Sequence, residues 1–391
     1  MYKFKPFTFE LLNPSTNRRP RDRSGHRIVC NEKYMYSIGG FNPSVPADDP
    51  EMSKDEVWRE SKPLFKELWR FNLATKTWER YRGQKNLPIE LASTAVLLFQ
   101  QKLIVYGGTA VPFGESCSNK LYACDLDNDS VQELPALGNL PDPQYGQALV
   151  TTNNYIYTVG GTTGYDYTCD VHRYDLRTGL WESMYICSGG DPMEPPGRYR
   201  HELAFDGRRI FVLGGGTSTD SFGFSDISVY DVETNRWSIV HTHGDGEYQP
   251  RYPDPRRCHG AVQYLDAESE SINVIISGGV CGNFAYKDVW RLNLMSLQWT
   301  RIVKCWLPTP LHFHSVAITP AGKMYTFGGV VDKRNAMTIR TSDVHSAWLM
   351  IPSLSEICWE AVNHYYELRT KSKDELFDMG IPIKYIKRLV D

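Results

Sequence analysis

Apolar residues along this chain gather in short β-type runs, and six of these runs end in a double glycine. The runs are Tyr34–Gly40, Leu103–Gly108, Tyr155–Gly161, Ile210–Gly216, Val274–Gly279 and Met324–Gly329. After most of them a second apolar run leads to a tryptophan, at Trp78, Trp181, Trp237 and Trp299. A Phe-Asn or Tyr-Asp pair followed by small or polar turn residues precedes several of these tryptophans, which predicts two strands joined by a hairpin. Successive diglycines stand 50–68 residues apart, so the chain is a tandem array of one supersecondary unit.

Two departures from the repeat are informative. The second unit carries Val131 where the tryptophan should stand, which weakens that contact between units. The sixth unit stops after the run from Asp343 to Ser353 without a fourth strand. The β-rich segment from Phe4 to Leu12 precedes the first unit and has no partner of its own. It is expected to supply the missing outer strand and so leave no free edge.

The diglycine and downstream tryptophan resemble the kelch repeat over roughly residues 1–350. The resemblance implies an all-β fold, a six-bladed β-propeller over residues 1–351 closed by the N-terminal strand. Its blades would span about 23–82, 91–135, 145–186, 199–241, 257–303 and 313–350, with residues 352–391 as a helical tail. The paired glycines then allow close backbone approach where blades crowd the central channel.

Charge and cysteine usage narrow the classes of partner. A net charge of −3 gives no reason to expect nucleic acid or an anionic membrane. No apolar run reaches the roughly 18 residues of a membrane span, and Met1–Leu12 has no signal-peptide core. Nine cysteines at irregular spacing, without C-x-x-C pairs, favour neither disulfides nor zinc. A cytoplasmic or nuclear location follows as the expectation, with no metal and no cofactor. Copper-radical chemistry, known on kelch-like propellers, needs convergent His and Tyr ligands. No secretory core in Met1–Leu12 accompanies such a centre, so no catalytic residue is assigned.

In a propeller the starts of the innermost strands ring one mouth of the channel. Here they collect Arg198, Arg200, Arg256 and Arg257, with Phe113, Tyr145, Tyr165, Tyr199, His201, His259, Phe313 and His314 as candidate walls. Guanidinium groups in an aromatic, partly desolvated cavity suit a carboxylate, and capture of a peptide C-terminus is a recurring mode. Arg and His at strand starts also hold neighbouring blades together, and residue type alone does not separate the two roles. The long connection 41–66 is either a rim or lid over this mouth or a solvated loop.

After Pro352 the apolar period becomes helical. Leu354, Ile357, Cys358, Ala361, Val362 and Tyr365 fall on one stripe. Ser353 with Glu356, and Ser372 with Glu375, read as capping boxes of two helices. Gly380 ends the second, and Pro382 opens a third. Ser353, Leu354, Cys358 and Val362 resemble the elongin-binding box of cullin-RING substrate receptors, with Ile357 on the same face. That resemblance implies Leu354 as the anchor in an elongin C pocket, with Cys358 packing beside it. Ile381, Pro382 and Tyr385 resemble a cullin-2-type box. The repeats, this tail and the FGES, TTGY, YRHE and GGVV segments together resemble, over nearly the whole chain, the Kelch domain-containing protein 10 family (scruin-like at the midline in insects). The resemblance implies a non-catalytic substrate receptor of a cullin-2–elongin B/C ubiquitin ligase with its RING protein. It also implies degrons that are C-terminal tails ending in Gly or Ala, marked for ubiquitination and proteasomal degradation. The alternative is a kelch scaffold, signalling or actin-associated, without a ligase role; the tail discriminates between the two.

Overall fold

The computed structural model describes residues 2–390 apart from Ala47, Glu51, Ala267 and 334–336. Each repeat folds as a four-stranded antiparallel meander, because its turns carry side chains that can hold them. Asn72, Asp125, Asp175, Asp231 and Asn293 end the third strand of five blades, and each accepts from backbone N–H groups two or three residues on. That turn delivers Trp78, Trp181, Trp237 and Trp299 to the fourth strand, where all four are buried. Trp181 meets Tyr106 of the preceding blade at 5.2 Å between ring centroids, and Trp78 meets Phe327 of the last blade at 5.1 Å.

Six such sheets follow one another, and their innermost strands contact each other all the way round to make a six-bladed propeller. The circle closes where Arg27–Cys30 meets Ser315–Ile318. The sixth sheet takes its outer strand from the N-terminus, as the sequence predicted, with Glu10–Leu12 antiparallel to Val344–Ser346. The ladder is shorter than the segment from Phe4 to Leu12; beyond it, Phe7 N–H donates to Trp348 O at 2.8 Å. Blade 2, lacking its tryptophan, has an outer strand Ser130–Glu133 that is mostly exposed, with Val131 half-buried. Leu137–Gly138 leaves that blade and adds a fifth, parallel strand to blade 3.

The diglycines sit where expected. Gly39 and Gly40 have φ of 69° and 98°, and a Cβ on Gly39 would lie 2.4 Å from the carbonyl oxygen of Leu91 in the next blade. The insertion 41–66 is a folded rim. It carries a short helix, α1 (Glu56–Ser61), capped by Asp55, and Trp58 stacks on Phe65 at 5.0 Å. Three further helices form the tail: α2 (Leu354–Tyr365), α3 (Lys373–Asp378) and α4 (Ile383–Leu389). No helix among the described residues is long and apolar enough to cross a membrane.

Candidate functional site

The mouth is built on a six-fold register. Gly25, Ser93, Gly146, Arg200, Cys258 and Phe313 occupy the same place in successive blades. Each donates its backbone N–H to the carbonyl of the preceding member, at 2.7–3.2 Å, with Gly25 closing back onto Phe313. The result is a closed ring of six amide hydrogen bonds around the channel. All six residues hold left-handed backbone, φ 52–70°, although four of them carry side chains. Left-handed geometry is costly for such residues and persists only where the surroundings impose it.

Two residues before this ring, the arginines are committed to the fold. Arg256 is fully buried and grips Asp288 through both terminal nitrogens, at 2.6 and 3.0 Å. Arg198 is buried too, donating to Pro196 O and Gly214 O at 3.1 Å and stacking over Phe222. Neither is a ligand group. Both are struts, as is Arg23 in blade 1, which pairs with Glu67 and donates to Gly39 O. The histidines one residue past the ring are likewise struts and not pocket wall. His26 and His201 donate from Nε2 to Phe327 O and Val159 O of the preceding blade, each at 3.0 Å. His314 lies 3.4 Å from Ser277 Oγ, and His259 is buried edge-on against Phe224. Burial pushes all four well below the usual histidine range, His201 and His314 to about 3.

What stays at the mouth is narrower than the sequence reading. Arg200 reaches across the ring; its Nη2 donates to Ser93 Oγ, and its guanidinium lies 4.8 Å over the Phe313 ring. It is only 6% exposed, its Nε has no acceptor, and among the described residues it has no carboxylate partner. Burial lowers its affinity for its own proton, and the opposing pull of Cys258, Tyr199 and Glu202 does not make up for the desolvation. Arg257 is half-buried and braces the loop of blade 4, donating to Asp220 O, Ser218 O and Ser221 Oγ. Tyr145 and Tyr199 are half-buried and meet edge to face at 6.1 Å, beside half-buried Phe313. Phe113 and Tyr165 are exposed on loops whose Gly114 and Gly164 touch. Arg340 and Phe41 were missed. Arg340 lies 4.6 Å over Phe41, and its Nε donates to Ser24 Oγ at 2.9 Å. Its signal was the one charge in the strand Met337–Arg340, which pairs back to Val330 beside the last diglycine.

The tail lies on the opposite face, against the turns Asn31–Lys33 and Asn72–Thr77 of blade 1 and the start of the second strand of blade 6. Its contacts with the ring are mainly polar. Glu360 accepts from Lys323 Nζ, from Trp348 Nε1 at 3.0 Å and from Tyr2 Oη at 2.7 Å. Burial pushes the Glu360 carboxyl up, and these donors outweigh it, so the group stays below the ordinary glutamate range. Asn363 donates to Ala74 O, and Lys33 to Val390 O. The tail has its own core of Trp359, Leu368, Leu376, Ile381, Tyr385 and Ile386, to which the ring contributes Ala74 among the described residues.

Helix α2 is therefore mounted with its charged face inward. Glu356 is buried and takes Arg388 bidentately at 2.7 and 2.9 Å, so it does not return to the helix start, and Ser353 makes no side-chain cap. The capping box expected there is absent, whereas that of Ser372 and Glu375 is formed. The apolar stripe faces away from the ring: Leu354 is 74% exposed, Ser353 and Cys358 are exposed, and Ile357 and Val362 are half-buried. Cys358 and Val362 line a groove of about 490 Å³ with Met379, Ile381, Pro382 and Tyr385. Ile381 and Tyr385, expected as outward contacts, belong to the tail core, where Tyr385 stacks on Trp359 at 4.9 Å; Pro382 is exposed.

Comparison with known proteins agrees with this architecture. The family model for the KLHDC2/KLHL20/DRC7 Kelch-repeats domain matches residues 1–215, 51–267 and 190–364. The chain is 42% identical over 388 residues to the Kelch domain-containing protein 10 homolog of Drosophila melanogaster, covering 95% of this chain and 62% of that one, less than two thirds of the fly protein. It is 40% identical over 374 residues to Kelch domain-containing protein 10 of Xenopus laevis, covering 95% and 86%. With the Homo sapiens protein of that name it shares 38% over 374 residues, covering 95% and 80%. With its repeats, its closed ring and this identity over nearly its whole length, the chain belongs to the Kelch domain-containing protein 10 family.

Proposed function

We propose that this protein is the substrate-recognition subunit of a cullin-2–elongin B/C ubiquitin ligase, non-catalytic itself, acting in cytoplasm and nucleus. The mouth receives the free C-terminal end of a client, and the tail on the far face docks the ligase. The observation that carries the reading is the orientation of α2. A helix that merely packed under the ring would bury its apolar stripe, yet Glu356, Glu360 and Asn363 face inward and Leu354 stands 74% exposed. An anchor leucine beside an apolar groove matches the helix-in-groove mode of peptide recognition. Ser353, Leu354, Ile357, Cys358 and Val362 then meet elongin C, and Pro382 lies on the cullin side.

At the mouth, the Arg200 side chain lies across the amide ring and obstructs a continuing chain, which favours a chain that ends there. Arg200, buried without a counter-charge, gains most from a carboxylate. Tyr145, Tyr199, Phe313 and the rim residues Phe113 and Tyr165 surround the approach. Co-expression with elongin B and C tests the docking. The pair Leu354→Ala with Cys358→Phe abolishes co-purification while the melting temperature stays unchanged; undiminished recovery of the elongins refutes the reading.

A further inference from the structure

Most arginines around the mouth are committed to the fold. Arg23 and Arg256 hold acids, Arg198 holds two carbonyls, and Arg257 holds the blade 4 loop. Two guanidinium groups are left over. Arg200 comes within reach of Gly25 from across the ring; a Cβ on Gly25 would lie 3.2 Å from its Nη2. Arg340 comes from the ribbon of blade 6, and its Nε is fixed by Ser24 Oγ at 2.9 Å. The two cations thus flank the dipeptide Ser24–Gly25. Among the described residues neither has a carboxylate partner, and the terminal nitrogens of Arg340 have no acceptor.

We propose that Arg340 is the second anchor of the acidic chain end in this mouth, opposing Arg200 across Ser24–Gly25. The proposal rests on the carboxylate reading of the mouth given above, with Arg340 standing where the sequence had offered Arg257. A buried and a half-buried like charge repel and lose hydration, and an anion between them offsets both costs. Stacking on Phe41 holds the Arg340 plane without occupying its terminal nitrogens, and Phe41 itself packs edge-on against Phe113 at 4.9 Å. Ser24–Gly25 offers little side chain, so the terminal residue of the client lies against backbone. Arg200, laid across the amide ring, obstructs a continuing chain, which favours a terminal carboxylate over an Asp or Glu side chain within a chain.

The test uses three fluorescein-labelled ten-residue peptides, read by anisotropy. One ends in Ala-Gly with a free carboxylate, one is its C-terminal amide, and one is an amide carrying an internal Asp. With the wild-type protein the free acid binds at least about 30-fold tighter than either amide. Arg340→Gln weakens the free acid about 30-fold and leaves the amides unchanged, and Arg340→Lys recovers part of the loss. If Arg340→Gln stays within about threefold of wild type for the free acid while Arg200→Gln abolishes binding, the role of Arg340 is overturned and the carboxylate reading stands. If wild type binds acid and amide equally, or binds neither, the carboxylate reading fails and this inference with it. Tighter binding of the internal Asp peptide overturns the choice of a chain end.

Discussion

Arg256 donates to both carboxylate oxygens of Asp288, at 2.6 and 3.0 Å, in a site where the arginine side chain has no exposure at all. The pair joins a strand start to the third strand of the same blade, and Trp290 Nε1 completes it at 2.7 Å. Removing one member of a buried pair strands the other. Arg256→Ala should therefore cost on the order of 3–5 kcal/mol and lower the melting temperature by several degrees. The folded fraction should still bind a free-acid peptide with wild-type affinity. An unaltered melt, or selective loss of binding, would show that Arg256 serves the mouth after all.

The four buried histidines predict acid sensitivity with a definite sign. Burial depresses each below the roughly 6.5 of an unfolded histidine, His201 and His314 to about 3. Below pH 6.5 the unfolded chain binds protons that the folded chain refuses. Stability is complete above that pH and falls as pH drops toward 3, by about 1 kcal/mol per histidine and ~4 kcal/mol in all by pH 5.5. Blade 3 supplies the control, since Gln147 takes the same place and donates to Tyr106 O at 3.2 Å. His201→Gln should fold and flatten the fall by one proton, measured as melting temperature against pH. A slope identical to wild type would remove His201 from the account.

The repeat, the missing tryptophan of blade 2 and the N-terminal closing strand were all legible, because period, turn chemistry and an unpaired edge are local or countable properties. The roles of single arginines were not. Under strand alternation Arg198 and Arg200 would point the same way. The left-handed backbone at Arg200, φ 55°, breaks that alternation, so Arg198 becomes a strut and Arg200 crosses the axis. Nothing in one sequence announces that turn. Ser353 and Glu356 fit a capping box as well as Ser372 and Glu375 do. What decided between them was Arg388, 32 residues from Glu356, which claims the carboxylate. Arg340 escaped notice because it lies on the far side of its ribbon, past the loop directly after Gly329.

The N-terminal segment has two duties that one deletion would separate from the rest of the fold. Glu10–Leu12 closes blade 6, while Tyr2 Oη reaches Glu360 in α2. Removing residues 2–12 exposes the edge of Val344–Trp348 and uncovers the half-buried Phe7 and Phe9 contacts, a loss of several kcal/mol. A fall in melting temperature of more than about 5 °C is expected. Hydrogen exchange should quicken across 354–389 while blades 2–4 keep their protection. Unchanged exchange in the tail would mean that Lys323 and Trp348 hold Glu360 without help.

Arg200 exposes a conflict between stability and binding. It keeps a left-handed backbone that costs a non-glycine residue about 1–2 kcal/mol, and it buries a cation with no acid beside it. Gly25 and Gly146 fill the same ring position without strain. Arg200→Gly should keep the amide ring, since its hydrogen bonds are all backbone, and should melt no lower than wild type. The gain from relieved strain and an unburied charge offsets the greater freedom of an unfolded glycine, ~1 kcal/mol. The same variant should lose free-acid peptide binding by 30-fold or more, on the order of the 2–5 kcal/mol that a buried charge pair contributes. On the carboxylate reading proposed above, Arg200 persists against its own fold because an anion meets it. A variant that melts well below wild type, or one that still distinguishes acid from amide, would overturn that explanation.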